Sequence, residues 1–142
     1  MSKNTLSIIG AIIGVVVASI IARYIFSGQQ GNISFETQLM KAAEEVNKIC
    51  PYMVDSETRL DNALGGPGKK FIYNYTLINY LSEELDLEQL KSSIYPSILN
   101  TVKTNPDMAT FRDNDVVLVY RYKDKENMFL FDIEIGPEEY KP

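Results

Sequence analysis

The stretch SIIGAIIGVVVASIIARYIF, Ser7 to Phe26, constrains this chain more than any other feature. Arg23 is its only charge. About 20 apolar residues rising 1.5 Å each match a hydrocarbon core of roughly 30 Å, so the length is that of a transmembrane helix. A cleaved signal has a shorter apolar region, about 7 to 15 residues, followed by a small-x-small cleavage site. Here the small residues nearest a cut are Ala22, behind Ile20 and Ile21, and Gly28, behind Phe26 and Ser27, so each has a bulky residue where a small one is needed. A lipoprotein signal fails as well, because the single cysteine is Cys50. The stretch therefore predicts an uncleaved anchor over residues 1–26.

Lys3 and the α-amino group precede the apolar run, and after Arg23 no basic residue occurs before Lys41. The positive-inside bias then favours a cytoplasmic N-terminus and a body outside the cytoplasm. Arg23 pulls the other way, although its long stem can snorkel to water. Gly10, Gly14, Ala18 and Ala22 recur every four residues, a small-residue stripe that admits weak homodimerisation through the anchor and is also common filler in membrane helices.

Of 142 residues, 14 are Lys or Arg and 19 are Asp or Glu, and Lys3 and Arg23 are the only charged side chains before residue 27. The body is thus more acidic than the net −5 of the whole chain. Without a basic run it is a poor ligand for phosphate backbones, and nucleic acid is not an expected partner. There is no histidine and one cysteine. That composition excludes an internal disulfide, Ser-His and Cys-His nucleophile pairs and ordinary zinc sites. Neither a cofactor nor a catalytic residue is expected.

Residues 27–34, SGQQGNIS, read as a polar linker. The domain is expected over residues 35–142. Phe35, Leu39, Ala42, Ala43, Val46, Ile49 and Cys50 follow helical spacing up to Pro51, and Cys50 reads as a small buried hydrophobe. PYMVDSETRLDNAL predicts one or two short extended segments, GGPG a turn, and KKFIYNYTLINY a central strand. A second helix follows, with a capping-box-like start at Asp86 to Gln89, apolar Leu87, Leu90, Ile94, Ile98 and Val102, and an end near Thr104; Pro96 kinks or breaks it. DVVLVYRYK and NMFLFDIEI, joined by DKEN, predict a hairpin. The fold class is α+β: an N-terminal transmembrane helix, then two helices packed on an antiparallel sheet of four or five strands.

CPYMVDSETRLDNA, FIYNYTLINY, NPDM and VVLVYRYKDKENMFLFDIEI together resemble an uncharacterised family of small membrane-anchored or secreted bacterial proteins, over roughly residues 35–135. The resemblance implies no catalytic residue. Such proteins often carry a cysteine pair in the second helix and at the C-terminus, whereas this chain has Val102 and Lys103 in that helix and no C-terminal cysteine.

Two constellations remain in the body. Asp55, Glu57, Arg59 and Asp61 alternate along an extended segment and form an exposed salt-bridged edge, a cation site or, as an alternative function, a carboxylate-dependent enzyme. Tyr73 with Tyr75 and Tyr120 with Tyr122 each put two rings on one strand face, either packed beneath the helices or exposed as a binding face. The functional expectation is a non-catalytic binding or assembly module, single-pass in a bacterial inner membrane with a periplasmic domain and an envelope protein as partner. A pilotin-like secretion-system accessory is the alternative.

Overall fold

The computed structural model describes residues 33–142. The expected anchor, its stripe Gly10, Gly14, Ala18 and Ala22, and most of the linker lie outside the described residues. Among those described, no helix is long and apolar enough to cross a membrane.

Helix α1 spans Phe35–Asn47 and starts where Ser34 accepts a hydrogen bond from the Thr37 backbone N–H. Leu39, Ala42, Ala43 and Val46 form its buried stripe. It stops three residues short of the expected Cys50. The N–H groups of Lys48, Ile49 and Cys50 reach back to the carbonyls of Glu45, Val46 and Asn47, a tighter i to i−3 pattern. Pro51 disfavours a helical residue before it, so the last turn unwinds there. Cys50 is half-buried rather than buried, with its thiol pKa raised mainly by burial.

Strands β1 (Tyr52–Met53), β2 (Thr58–Gly66) and β3 (Lys70–Leu77) follow as an antiparallel meander. Helix α2 (Leu87–Thr104) comes next, then the short helix α3 (Ala109–Asp113), the hairpin of β4 (Val117–Lys123) and β5 (Phe129–Ile135), and a terminal turn of helix, α4 (Pro137–Tyr140). The spatial order β1-β2-β3-β4-β5 puts β3 at the centre, as its aromatic run predicts.

The sheet is mixed, which corrects the antiparallel expectation: β3 and β4 run parallel, while the other neighbouring pairs are antiparallel. The cause is α2. An 18-residue helix is about 27 Å long and an eight-residue strand about 26 Å, so α2 returns the chain to the end of the sheet where β3 began.

Asp86 caps α2 by accepting from Gln89 N–H, and Leu90, Ile94, Ile98 and Val102 are buried. The helix runs through Pro96 without a break. Pro96 is exposed, so water can reach the carbonyl left without its usual N–H. At the other end, the Arg112 guanidinium donates to the carbonyls of Val102 and Asn105, satisfying groups that a helix terminus leaves open.

Packing is on one side of the sheet. Phe71, Tyr73, Tyr75 and Leu77 of β3 and Leu118, Tyr120 and Tyr122 of β4 join the buried stripes of both helices in one apolar cluster. α1 lies over β2 and α2 over β5. Gly65 sets the depth of α1: a Cβ there would lie 2.4 Å from the carbonyl carbon and oxygen of Leu39.

Candidate functional site

The four tyrosines are core residues. Register pairs Tyr73 with Tyr120 and Tyr75 with Tyr122 across the parallel strands, with ring centroids 5.0 and 5.2 Å apart. All four are 3% exposed or less. Burial drives every one of these phenol pKa values upward, so the rings stay neutral. As a binding face they present no surface to solvent; they are the packed layer beneath the helices.

The acidic segment is split in two. Asp55 lies in the loop before β2, where its Oδ1 accepts from the N–H groups of Glu57 and Thr58 at 2.7 and 2.8 Å. Burial raises its carboxyl pKa, with the two backbone donors and the Thr58 hydroxyl acting in the opposite direction. Glu57, Arg59 and Asp61 project from the solvent face. The Glu57 carboxylate accepts from Asn79, and Arg59 donates to Asp61 at 2.6 Å. Asp61 also accepts from Thr76 and pairs with Lys123 at 3.5 Å. Alternation puts Asp61 on the face of Arg59, and the register shift between Leu60 and Asn62 leaves Asn62 on that face too. Among the described residues no cluster of three or more metal-ligating side chains exists.

Further along the solvent face, Arg121 grips Asp132 through Nε and Nη2 at 2.9 and 3.0 Å, and Asn74 donates to Asn62. Such exposed pairs contribute about 0.2 to 1 kcal/mol each. They specify a wettable sheet face more than they stabilise the fold.

A cleft of about 170 Å³ opens between α1 and the free side of β2, lined by Met40, Glu44, Asn47, Leu64 and Gly65 among others. Met40 is 50% exposed and Leu64 52% exposed, two open apolar side chains beside the polar face. The sequence reading missed this cleft. Leu64 follows two positions after Asn62 on the polar side of β2, and that break in alternation was the available signal.

Asp124 was missed too. It is 2% exposed, and its carboxylate accepts from the N–H groups of Ser82, Glu126 and Met128 at 2.8 to 2.9 Å. Burial pushes its pKa up, and the three donors outweigh that push, leaving it below the ordinary aspartate value. The residue ties the β4–β5 turn to the loop entering α2. Only that loop's long-range partner reveals the role, since DKEN alone reads as an ordinary turn.

One family model matches residues 34–131, from the cap of α1 into β5. The chain belongs to that family, described as a domain of unknown function (DUF8479). The expected kinship with an uncharacterised family of small α+β proteins is thereby met. No curated protein matches the chain. Among solved structures, this DUF8479 chain is similar to a Pseudomonas aeruginosa protein thought to be secreted, at 15% identity and TM-score 0.59, covering 78% of this chain and 100% of the other. It is also similar to EpsS, the pilotin of the Vibrio vulnificus type 2 secretion system, at 7% identity and TM-score 0.60, covering 75% and 92%. A third likeness is to AspS, the type II secretion system pilotin of Vibrio cholerae, at 12% identity and TM-score 0.55, covering 81% and 97%. At these identities the shared property is the fold.

Proposed function

We propose that the protein is a membrane-tethered, non-catalytic accessory of a bacterial secretion system, pilotin-like in role, with its α+β domain outside the cytoplasm. The observation that carries this reading is coverage: the domain superposes on 92% of one pilotin and 97% of another, so what is shared is their whole folded unit. The filled core and the internal pairing of Asp55, Glu57, Arg59 and Asp61 support a role without chemistry.

The apolar segment 7–26 supplies the tether, holding the domain at the inner membrane. A short linker confines the domain to a shell near the bilayer, where effective concentrations reach the millimolar range, so a weak contact with an envelope protein suffices. The partner meets the cleft between α1 and β2, where Met40 and Leu64 stand open. The stripe Gly10, Gly14, Ala18 and Ala22 lets two anchors approach each other closely.

Alkaline washing of membranes and fusion reporters test the tether. The full chain stays in the membrane with its own N-terminus, a reporter active only in the cytoplasm is silent when fused after Pro142, and an export-dependent reporter is active. A mature chain beginning after Ala22 or Gly28, or the reverse reporter pattern, contradicts it.

A further inference from the structure

Tyr75 and Tyr122 stand side by side on the parallel strands, rings 5.2 Å apart and 22° from parallel, and neither hydroxyl has a hydrogen-bond partner although both residues are 0% exposed. Two more buried oxygens lie at the same end of the sheet. Leu60 is in register with Tyr75 and Thr58 with Leu77, so side-chain alternation puts Thr58, also 0% exposed, on the tyrosine face one step further along. Asp55 is held to Thr58 by the bond from the Thr58 N–H to Oδ1. The Thr58 hydroxyl lies beside that carboxylate and helps to lower its pKa, yet neither the hydroxyl nor the buried Oδ2 makes a hydrogen bond of good geometry.

Groups of this kind are rarely left without partners, and two bare phenol hydroxyls beside a poorly bonded hydroxyl and carboxylate would take a large share of a small domain's stability. Their chemistry restricts what satisfies them. Each hydroxyl offers one donor and two acceptor positions, and the carboxylate oxygen only accepts. The groups that face the two phenols here, each other, Thr58 and Asp55, include no base to hold an anion. A single carboxylate is too few for a divalent cation. Water, with two donors and two acceptors, fits, and buried water occurs about once per 27 residues with two to four polar partners.

We infer that Tyr75, Tyr122, Thr58 and Asp55 form an internal hydration site, in which ordered water bridges the tyrosine hydroxyls of β3 and β4 to the loop between β1 and β2. The water ties that loop to the sheet at the C-terminal end of the parallel pair. Tyr75→Phe and Tyr122→Phe, measured in the full chain in detergent, separate this arrangement from idle hydroxyls. Each variant lowers the melting temperature, and the double variant lowers it by clearly less than the sum, because both hydroxyls share one water. Electron density of the full chain shows water at about 2.7 to 3.2 Å from at least two of the four oxygens. A single variant that melts at or above the parent, strictly additive losses, or density in which the hydroxyls bond directly to protein atoms overturns the inference.

Discussion

The side-chain amide of Asn47 pairs with both backbone groups of Ala63: Nδ2 donates to the Ala63 carbonyl at 3.0 Å, and Oδ1 accepts from the Ala63 N–H at 2.7 Å. The last residue of α1 thereby takes the place of a neighbouring strand. β1 covers only Arg59 and Leu60, so β2 would otherwise present an open edge, the surface through which sheets aggregate. Asn47→Ala strips both bonds and leaves a part-buried donor and acceptor. The expected loss is about 1 to 3 kcal/mol in urea unfolding, with faster hydrogen exchange at the Ala63 amide. An unfolding curve that overlays the parent would show the edge to be satisfied by other means.

Gly65 and Gly66 form a built-in control. At Gly65 a methyl group would meet the Leu39 backbone at 2.4 Å, while at Gly66 nothing lies within 4 Å. Gly65→Ala forces α1 off β2 and costs about 1 to 3 kcal/mol, the usual penalty for overpacking. Gly66→Ala changes stability by much less. Equal effects on the melting temperature would mean that α1 does not seat at Gly65.

How far the sequence foretold this architecture depends on which physical code each feature uses. The buried stripe Leu90, Ile94, Ile98 and Val102 and the face Phe71, Tyr73, Tyr75 and Leu77 were legible, because periods of 3.6 and 2 are written locally. The parallel pairing of β3 with β4 was not: alternation tells which side of a strand is buried and says nothing of its neighbour's direction. α3 and α4, of five and four residues, are too short to show a period. The tyrosines were legible as a cross-strand ladder and their full burial followed from their apolar neighbours, whereas Asp124 and Asn47 act through contacts 42 and 16 residues away. Nothing near either residue in the chain announces such a partner.

Acid titration distinguishes two aspartates of opposite sign. Asp124 has a lowered pKa, so its contribution is complete above the unfolded value of about 3.9 and is lost as pH falls through its folded value. Asp124→Ala is therefore less stable than the parent at pH 7, and the gap narrows below about pH 4. Asp55 has a raised pKa, so its contribution is present at low pH and is lost as pH rises through its folded value. Asp55→Asn keeps an acceptor for Glu57 and Thr58, and compared with the parent it gains stability between acid and neutral pH. Parallel pH profiles for parent and variants would contradict both assignments.

Tyr140 closes the C-terminal end of the domain. Its hydroxyl donates to the Val116 carbonyl at 2.7 Å, and burial first, then the charge of Asp115, pushes its pKa to about 12. Tyr140→Phe removes that bond and leaves a carbonyl without its donor, for an expected loss of about 1 kcal/mol. The deficit shows as a lower urea midpoint with an unchanged slope. A midpoint equal to the parent's would place the anchoring of α4 in packing alone.

The proposed role, a tethered domain that serves secretion by contact and not by chemistry, is open to test by secretion in the native bacterium. Deleting the protein should sharply reduce the proteins released by its secretion system. The full chain should restore release, while a chain lacking residues 1–26 and the variant Leu64→Glu, altered at an open side chain of the cleft, should not. Unchanged release after deletion, or full rescue by the chain lacking residues 1–26, would contradict that role.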